Sequence, residues 1–311
     1  MKEYKGVDIG RVVFACLIPL LHIPFQENIG IDIVRQYISR LGVPFFFAVS
    51  GMFLYQSIEK RGAPEALKHY LIRIGRVLLI WLAIYSPLLI MSSQSYGKLI
   101  QEIIFKTPSF LWFLSSLVVA SIPFCLIHNR RVLACCAVLL YVIGTSFSDS
   151  YIYNCENLCD MYRKIFLTTR NGFFFALPLM IAGELTWKAH KSNMPLLIVS
   201  WLFLIAEITF VGIYTDKTVD RSMYYYLPVF IYALLLSLRD WNPNIDRKHL
   251  GGISSAIYVM QYGIITIGTI VFRKMNLSGT NTLWFVYLAV ITIPSTLYLI
   301  LRKQKIVRII F

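Results

Sequence analysis

The first apolar stretch of the chain, VDIGRVVFACLIPLLHIPF, contains three ionisable side chains: Asp8, Arg11 and His22. An ionisable side chain inside a membrane span costs about 2.5–3.5 kcal/mol on insertion scales, so it usually faces the protein interior and serves a function. In a continuous α-helix, eleven residues make three turns plus about 20°, so Arg11 and His22 are predicted to share a face, about 16 Å apart. Asp8 is placed to pair with Arg11, and the flanking Pro19 and Pro24 predict a kink at His22.

Each of these residues also has a purely structural interpretation. Arg11 could be a topology anchor, and His22 could be a packed, hydrogen-bonded histidine. Their shared face favours a binding or catalytic role, with a cation at one end of the face and a potential base at the other.

Three further polar side chains stand in or beside apolar segments. Arg40 and Arg170 begin two of these segments, where each could be an anchor that extends to the membrane surface or could line a pocket with His22. Glu207 lies deep in SWLFLIAEITF and must be protonated or paired, with an arginine or with His22.

The composition indicates that a lipid bilayer surrounds these residues. Of the 311 residues, 57% are hydrophobic and only 15% are charged, whereas soluble domains carry about 25% charged residues. This excludes a disordered chain, a fibrous repeat and an ordinary soluble enzyme. We expect an all-α membrane bundle of about ten helices at 7–25, 41–57, 74–93, 109–127, 132–148, 170–187, 194–213, 223–239, 250–272 and 281–301.

The basic residues predict the orientation of this bundle. With the N-terminus inside, 19 of the 30 lysines and arginines fall in inner segments and 11 in outer ones, which favours cytoplasmic termini. The formal net charge of +14 therefore reflects topology rather than nucleic-acid binding, and no metal-ligand spacing is present. The outer connection 149–169 contains Cys155 and Cys159, which could form a disulfide or remain free thiols.

Five segments in order carry a resemblance to a known family. They are the Arg11-to-His22 segment, RLGVPFFFAVSGMFLY at 40–55, LWFLSSL at 111–117, RNGFFFALPLMIAGE at 170–184 and SSAIYVMQY at 254–262. Together they resemble the integral-membrane acyltransferase family three, which includes sugar and cell-wall O-acetyltransferases. Within it, the chain is most similar to the membrane half of membrane-bound serine racemases of glycopeptide resistance. Those proteins continue into a soluble racemase domain, for which the 311 residues leave no room, so we expect one membrane domain over 1–311 without racemase activity.

The resemblance implies an acyl-CoA donor that enters from the cytoplasm and an acceptor hydroxyl on the outer side. It implies that His22 is the catalytic histidine and that Arg11 belongs to the donor path, while Arg40, Ser50 and Arg170 match further family motifs. Many members carry a histidine where this chain has Gln261, which can form hydrogen bonds but cannot titrate.

We therefore expect a multi-pass cell-membrane enzyme that transfers an acyl group, with acetyl as the expected case, from acyl-CoA to a carbohydrate or cell-wall hydroxyl. Acyl-CoA is a co-substrate here, and no tightly bound cofactor is expected. Arg11, Arg73 and Arg76 would bind the donor phosphates, and His22 would act as the base. Four residues would bind the acceptor or stabilise the oxyanion: Arg40, Ser50, Arg170 and Glu207.

Two alternatives use the same buried polar residues. The first is a transporter for a small molecule, such as the amino acid serine. The expected sign of many transporters, an inverted pair of broken helices, is not found in the sequence. The second is a non-catalytic sensor or scaffold that binds a cell-wall precursor and needs no base aligned with a cytoplasmic cation.

Overall fold

The computed structural model describes residues 4–25, 29–92, 111–148, 168–214, 222–246, 248–277, 279–304 and 307. Every regular element within these ranges is helical, which confirms the all-α class. The described α-helices are numbered in chain order: α1 (Lys5–Leu17), α2 (Ile29–Tyr37), α3 (Gly42–Arg61), α4 (Ala63–Ser92), α5 (Trp112–Leu126), α6 (Arg130–Ser146), α7 (Leu177–Lys188), α8 (Met194–Tyr214), α9 (Leu227–Asp240), α10 (Leu250–Lys274) and α11 (Thr280–Leu301).

Three shorter helical elements complete the described part of the chain. Two are 3-10 turns, Ile18–Leu21 and Ser39–Leu41, and the third is a π-helical turn, Gly172–Ala176. Five helical stretches are long and apolar enough to cross a membrane: Ile29–Arg61, Ala63–Leu88, Met194–Tyr214, Leu250–Lys274 and Thr280–Leu301.

Each of the ten segments predicted from sequence overlaps one described α-helix, but two differences affect the polar residues. Helix α4 begins at Ala63 rather than near residue 74, so Arg73, which the sequence places just before a span, lies on the same helix as Arg76. The sequence does not predict helix α2, because its Asp32 and Arg35 interrupt the apolar pattern.

The first predicted helix is not a continuous α-helix. Helix α1 ends at Leu17 and a 3-10 turn follows, because Pro19 has no N–H to continue the α-helical hydrogen bonding. With 100° and 1.5 Å per α-helical residue, and 120° and 2.0 Å per 3-10 residue, His22 lies about 120° around the axis from Arg11 and about 19 Å along it. The predicted shared face of Arg11 and His22 is therefore wrong.

Helices α3 and α7 cross at close backbone contact. A Cβ atom on Gly51 would overlap the Met180 carbonyl, and one on Gly183 would overlap the Ala48 carbonyl. In a membrane, helices associate through such small residues because lipid supplies no hydrophobic driving force between them. This contact fixes the position of α3, which carries Ser50.

The segment before α7 begins with an asparagine cap. The side chain of Asn171 accepts hydrogen bonds from the backbone N–H groups of Phe173 and Phe174 at 3.0 and 3.1 Å. The following π-helical turn packs Phe175 against Phe47 of α3, with ring centroids 5.8 Å apart. The cap therefore places Arg170, the residue before it, at the end of the bundle where α3 begins.

Candidate functional site

A cavity of about 760 Å³ lies among α1, α3, α4, α5 and α10. Its polar wall includes four arginines and a histidine: Arg11, Arg61, His69, Arg73 and Arg76. Its apolar wall includes six side chains from α3, α5 and α10: Phe46, Val49, Phe113, Leu114, Leu117 and Val259. A cavity with this lining suits a ligand that has an anionic head and a slender, less polar arm.

Arg11 is held between α1 and α10. Its guanidinium donates to the Asp8 carboxylate at 3.3 Å and to the Gly251 carbonyl at 3.3 Å. The same carbonyl accepts hydrogen bonds from the hydroxyls of Ser254 and Ser255. A Cβ atom on Gly251 would lie 2.9 Å from Arg11 Nη1, so the glycine lets the guanidinium approach the helix backbone.

Arg73 and Arg76 are exposed on the face of α4 that lines the cavity. The Arg73 guanidinium lies 5.9 Å from the centre of the Tyr70 ring, and its charge is close enough to Arg11 to repel it. The Tyr70 hydroxyl is buried near Ser50. Ser50 itself lines this cavity, with the predicted donor residues rather than with Arg40 and Arg170.

Arg40 and Arg170 meet at the opposite end of the bundle. Both donate to the Ser222 hydroxyl, at 2.9 and 3.4 Å, and Arg40 also donates to Gln36 at 2.9 Å. The Arg170 guanidinium stacks 5.5 Å from the Trp112 ring. Arg40 and Arg170 thus share the Ser222 hydroxyl as a hydrogen-bond acceptor.

The carboxylate of Glu207 holds the backbone before α9. Its two oxygens accept hydrogen bonds from the N–H groups of Tyr225 and Tyr226, at 2.7 and 3.0 Å. Backbone N–H groups just before a helix thus bind the half-buried carboxyl group of Glu207.

His22 ends the 3-10 turn that follows α1, and its backbone N–H donates to the Pro19 carbonyl at 3.0 Å. This turn packs against the turn Ser39–Leu41, which carries Arg40. His22 is half-buried and does not line the cavity that contains Arg11. The structure therefore puts His22 at the same end of the bundle as Arg40.

Arg35 of α2 supports the His22 turn, a role that the sequence analysis missed. Its guanidinium donates to the carbonyls of Leu20, at 2.7 Å, and of Ile23. It also pairs with Asp32 at 3.6 Å. The sequence signal that could have revealed it is this acidic–basic pair, three residues apart in a polar segment.

The cavity that contains Arg11 and the group formed by Arg40 and Arg170 are separated by the length of α3. Arg61 of the cavity follows Arg40 by twenty-one residues, which corresponds to about 30 Å in a helix and to the thickness of a bilayer core. Cys155 and Cys159, for which the sequence leaves a disulfide and two free thiols open, lie outside the described residues.

Comparison with known proteins identifies relatives over nearly the whole chain. The model of the family described as "Acyltransferase domain" matches residues 4–301. An "Amino-acid racemase" of Enterococcus faecalis is 23% identical over 97% of this chain and 47% of its own length. A "Serine/alanine racemase" of Enterococcus gallinarum is 25% identical over 93% of this chain and 45% of its own length.

A second "Amino-acid racemase" of Enterococcus faecalis is 32% identical over 58% of this chain and 28% of its own length. The chain thus spans at most about half the length of these curated relatives. No solved structure matches the chain. The family match and the five apolar helices confirm the resemblance and the multi-pass membrane location: the chain belongs to the acyltransferase domain family of integral membrane proteins.

Proposed function

We propose that this chain is a membrane O-acyltransferase that moves an acyl group, with acetyl as the expected case, from cytoplasmic acyl-CoA to an extracytoplasmic hydroxyl. The acceptor would be a cell-wall or surface carbohydrate. In this proposal residues 1–311 form one domain of ten spans with both termini in the cytoplasm, as the 19-to-11 distribution of basic residues favours.

The observation that carries the proposal is the cavity among α1, α3, α4, α5 and α10. Coenzyme A has phosphates at one end and a slender pantetheine arm at the other, which matches the arginines and the apolar wall of this cavity. Guanidinium groups bind phosphates through several directed hydrogen bonds. Arg11, Arg73 and Arg76 would therefore hold the phosphates, with Arg61 as a fourth cation.

His22, at the end of the bundle opposite the cavity, would act as the general base in the transfer step. A neutral histidine accepts a hydroxyl proton at physiological pH. The acceptor oxygen attacks the thioester carbonyl, a C–O bond forms, and the C–S bond breaks as the proton passes from His22 to the departing thiolate. Arg40 and Arg170 are the nearby donors that would stabilise the oxyanion. An acyl-histidine intermediate is the alternative route through the same residue.

The names of the relatives describe proteins about twice as long as this chain. The proposed acyl transfer concerns the membrane domain alone. If transport of serine were instead the function of this domain, the cavity would have to open to both sides of the membrane in turn.

We expect His22→Ala to lower the rate of acyl transfer by about 10²–10⁴-fold, because a general base contributes this much. The assay uses purified protein in sealed vesicles, with acetyl-CoA labelled on the acetyl group inside and a panel of carbohydrate acceptors outside. The control His128→Ala removes an exposed histidine that does not line the cavity, and should leave the rate unchanged.

Wild-type turnover by the His22→Ala protein would contradict the assignment of the base. If wild-type protein instead accumulates an unmodified solute such as serine, without consuming thioester for any acceptor, the transporter replaces the enzyme.

A further inference from the structure

Gln261 of α10 is a buried carboxamide whose hydrogen-bonding capacity is unused within the described structure. The residue is 1% exposed. Neither its amide nitrogen nor its carbonyl oxygen has a hydrogen-bond partner among the described residues. A buried polar group left in this state is destabilising, and most buried polar side chains of native proteins have a hydrogen-bond partner.

The position of Gln261 along α10 links the two polar ends of the bundle. Seven residues, or about 20° short of two full turns, separate it from Ser254, so both lie on nearly the same face. Ser254 and Tyr258 line the cavity that contains Arg11. Ile265, one turn beyond Gln261 on that face, packs in a cluster with Leu20 and Ile23, which flank His22.

Gln261 therefore lies between the cavity and the His22 turn, about 4.5 Å along the helix axis beyond Tyr258. A donor that enters the cavity at Arg11 and delivers its acyl group near His22 has to pass this point. The passage requires that side chains around Gln261 move apart when the donor binds.

The chemistry of the unpaired group narrows the class of ligand that it fits. A carboxamide offers one acceptor and two N–H donors. A phosphate, a thioester or a ketone would satisfy only its donors, whereas a secondary amide satisfies both sides. The pantetheine arm of coenzyme A contains two secondary amides.

We propose that Gln261 binds a secondary amide of the donor's pantetheine arm and positions the thioester toward His22. This inference rests on the proposed function and deepens it. It makes Gln261 a specificity-determining residue for donors with an amide-bearing arm, as opposed to acyl phosphates or lipid-linked acyl donors. Arg11 binds the phosphates of the same molecule.

The test compares two ligands on purified wild-type protein and on Gln261→Met. One ligand is coenzyme A, and the other is adenosine 3′,5′-bisphosphate, which has a nucleotide end but no arm. We expect Gln261→Met to weaken the binding of coenzyme A by about tenfold and to leave the affinity for the bisphosphate unchanged. Binding is measured by ligand-induced thermal stabilisation, since a ligand that binds the folded state raises its melting temperature. The unliganded Gln261→Met protein should melt at the same or a higher temperature, because methionine buries no unpaired polar group.

Two controls accompany this variant. Thr145→Val removes another buried polar group, on α6 and away from the cavity, and should bind both ligands like the wild type. Gln261→Asn keeps the carboxamide but shortens the side chain. It should lose part of the affinity for coenzyme A only, and it serves as the test if Gln261→Met does not fold.

The outcomes separate this inference from the proposed function. Failure of the wild type to bind coenzyme A at all would overturn the proposed function. If the wild type binds coenzyme A and Gln261→Met binds it equally well, only the role of Gln261 is overturned. An equal loss for both ligands would show a general structural effect and would also overturn the inference.

Discussion

Arg11 and Glu207 are ionisable side chains in apolar helices, and they offset the cost of burial in different ways. The carboxylate of Glu207 is satisfied by the backbone N–H groups of Tyr225 and Tyr226. Arg11 has one carboxylate and one carbonyl as partners, and it still lines a cavity with three other arginines. The spare donors of a guanidinium that faces a cavity are available to a ligand, so Arg11 suits binding and Glu207 suits structure.

At the scale of single residues, we expect Arg11→Ala to weaken coenzyme A binding by roughly 10- to 100-fold. Hydrogen bonds to charged groups contribute about 1.5–3 kcal/mol. Added salt should weaken wild-type binding and have a smaller effect on the variant, because ions screen the contact that the variant has lost. Equilibrium binding at two salt concentrations measures both effects.

The matched control is Arg131→Ala, which removes an exposed arginine of α6 outside the cavity. An unchanged affinity for coenzyme A in Arg11→Ala would show that Arg11 is a topology anchor or the structural partner of Asp8.

At the scale of helices, the crossing of α3 and α7 depends on residues that lack a side chain. Gly183→Ala should destabilise the protein, because its Cβ would overlap the backbone of α3 at Ala48 and force two helices apart. Gly75→Ala is the control, since a Cβ atom at Gly75 would have no neighbouring atom within 4 Å among the described residues, and alanine favours a helix by about 1 kcal/mol over glycine. Thermal unfolding in one detergent compares the two. A melting temperature for Gly183→Ala at or above that of Gly75→Ala would contradict the close crossing.

The short helix α2 matters because its Arg35 holds the carbonyls of the turn that ends at His22. Arg35→Ala should lower kcat for acyl transfer by about tenfold or more, since a small displacement of a catalytic group is costly. The KM for acyl-CoA should stay near the wild-type value, because Arg35 does not line the donor cavity.

Asp32→Ala tests the specificity of this support. It removes only the more exposed partner of Arg35 and should have a smaller effect on kcat. A rise in the KM for acyl-CoA with an unchanged kcat in Arg35→Ala would show that Arg35 does not act through His22.

At the scale of the whole molecule, the cationic cavity and the Arg40–Arg170 group are separated by about the thickness of a bilayer core. The distribution of basic residues predicts that the cavity end is cytoplasmic. In a background without the six native cysteines, we expect an impermeant thiol reagent applied to intact cells to label Lys274→Cys and not Lys191→Cys. Both positions are exposed in the structure. The reverse labelling pattern would invert the proposed orientation.

The helical class, the approximate location of ten helices and the family follow from the amino-acid order alone, because long apolar runs in lipid must satisfy their backbone as helices. The same order identifies Arg11 as a candidate, since charge among apolar residues is costly wherever it occurs, and it identifies Arg73 and Arg76 as basic residues of the next inner segment that could bind phosphate.

Which of these residues meet depends on how the helices pack in three dimensions. Continuous helical geometry predicts that His22 lies on the same helix face as Arg11. Pro19 instead interrupts the α-helix, and the 3-10 turn that follows rotates His22 away from that face. The resemblance singles out Ser50 and Gln261 in the sequence, but only the structure places Ser50 beside the arginines of the cavity and leaves the Gln261 carboxamide without a partner among the described residues. A buried hydrogen-bonding group becomes informative when packing leaves it without a partner, and that depends on several helices at once.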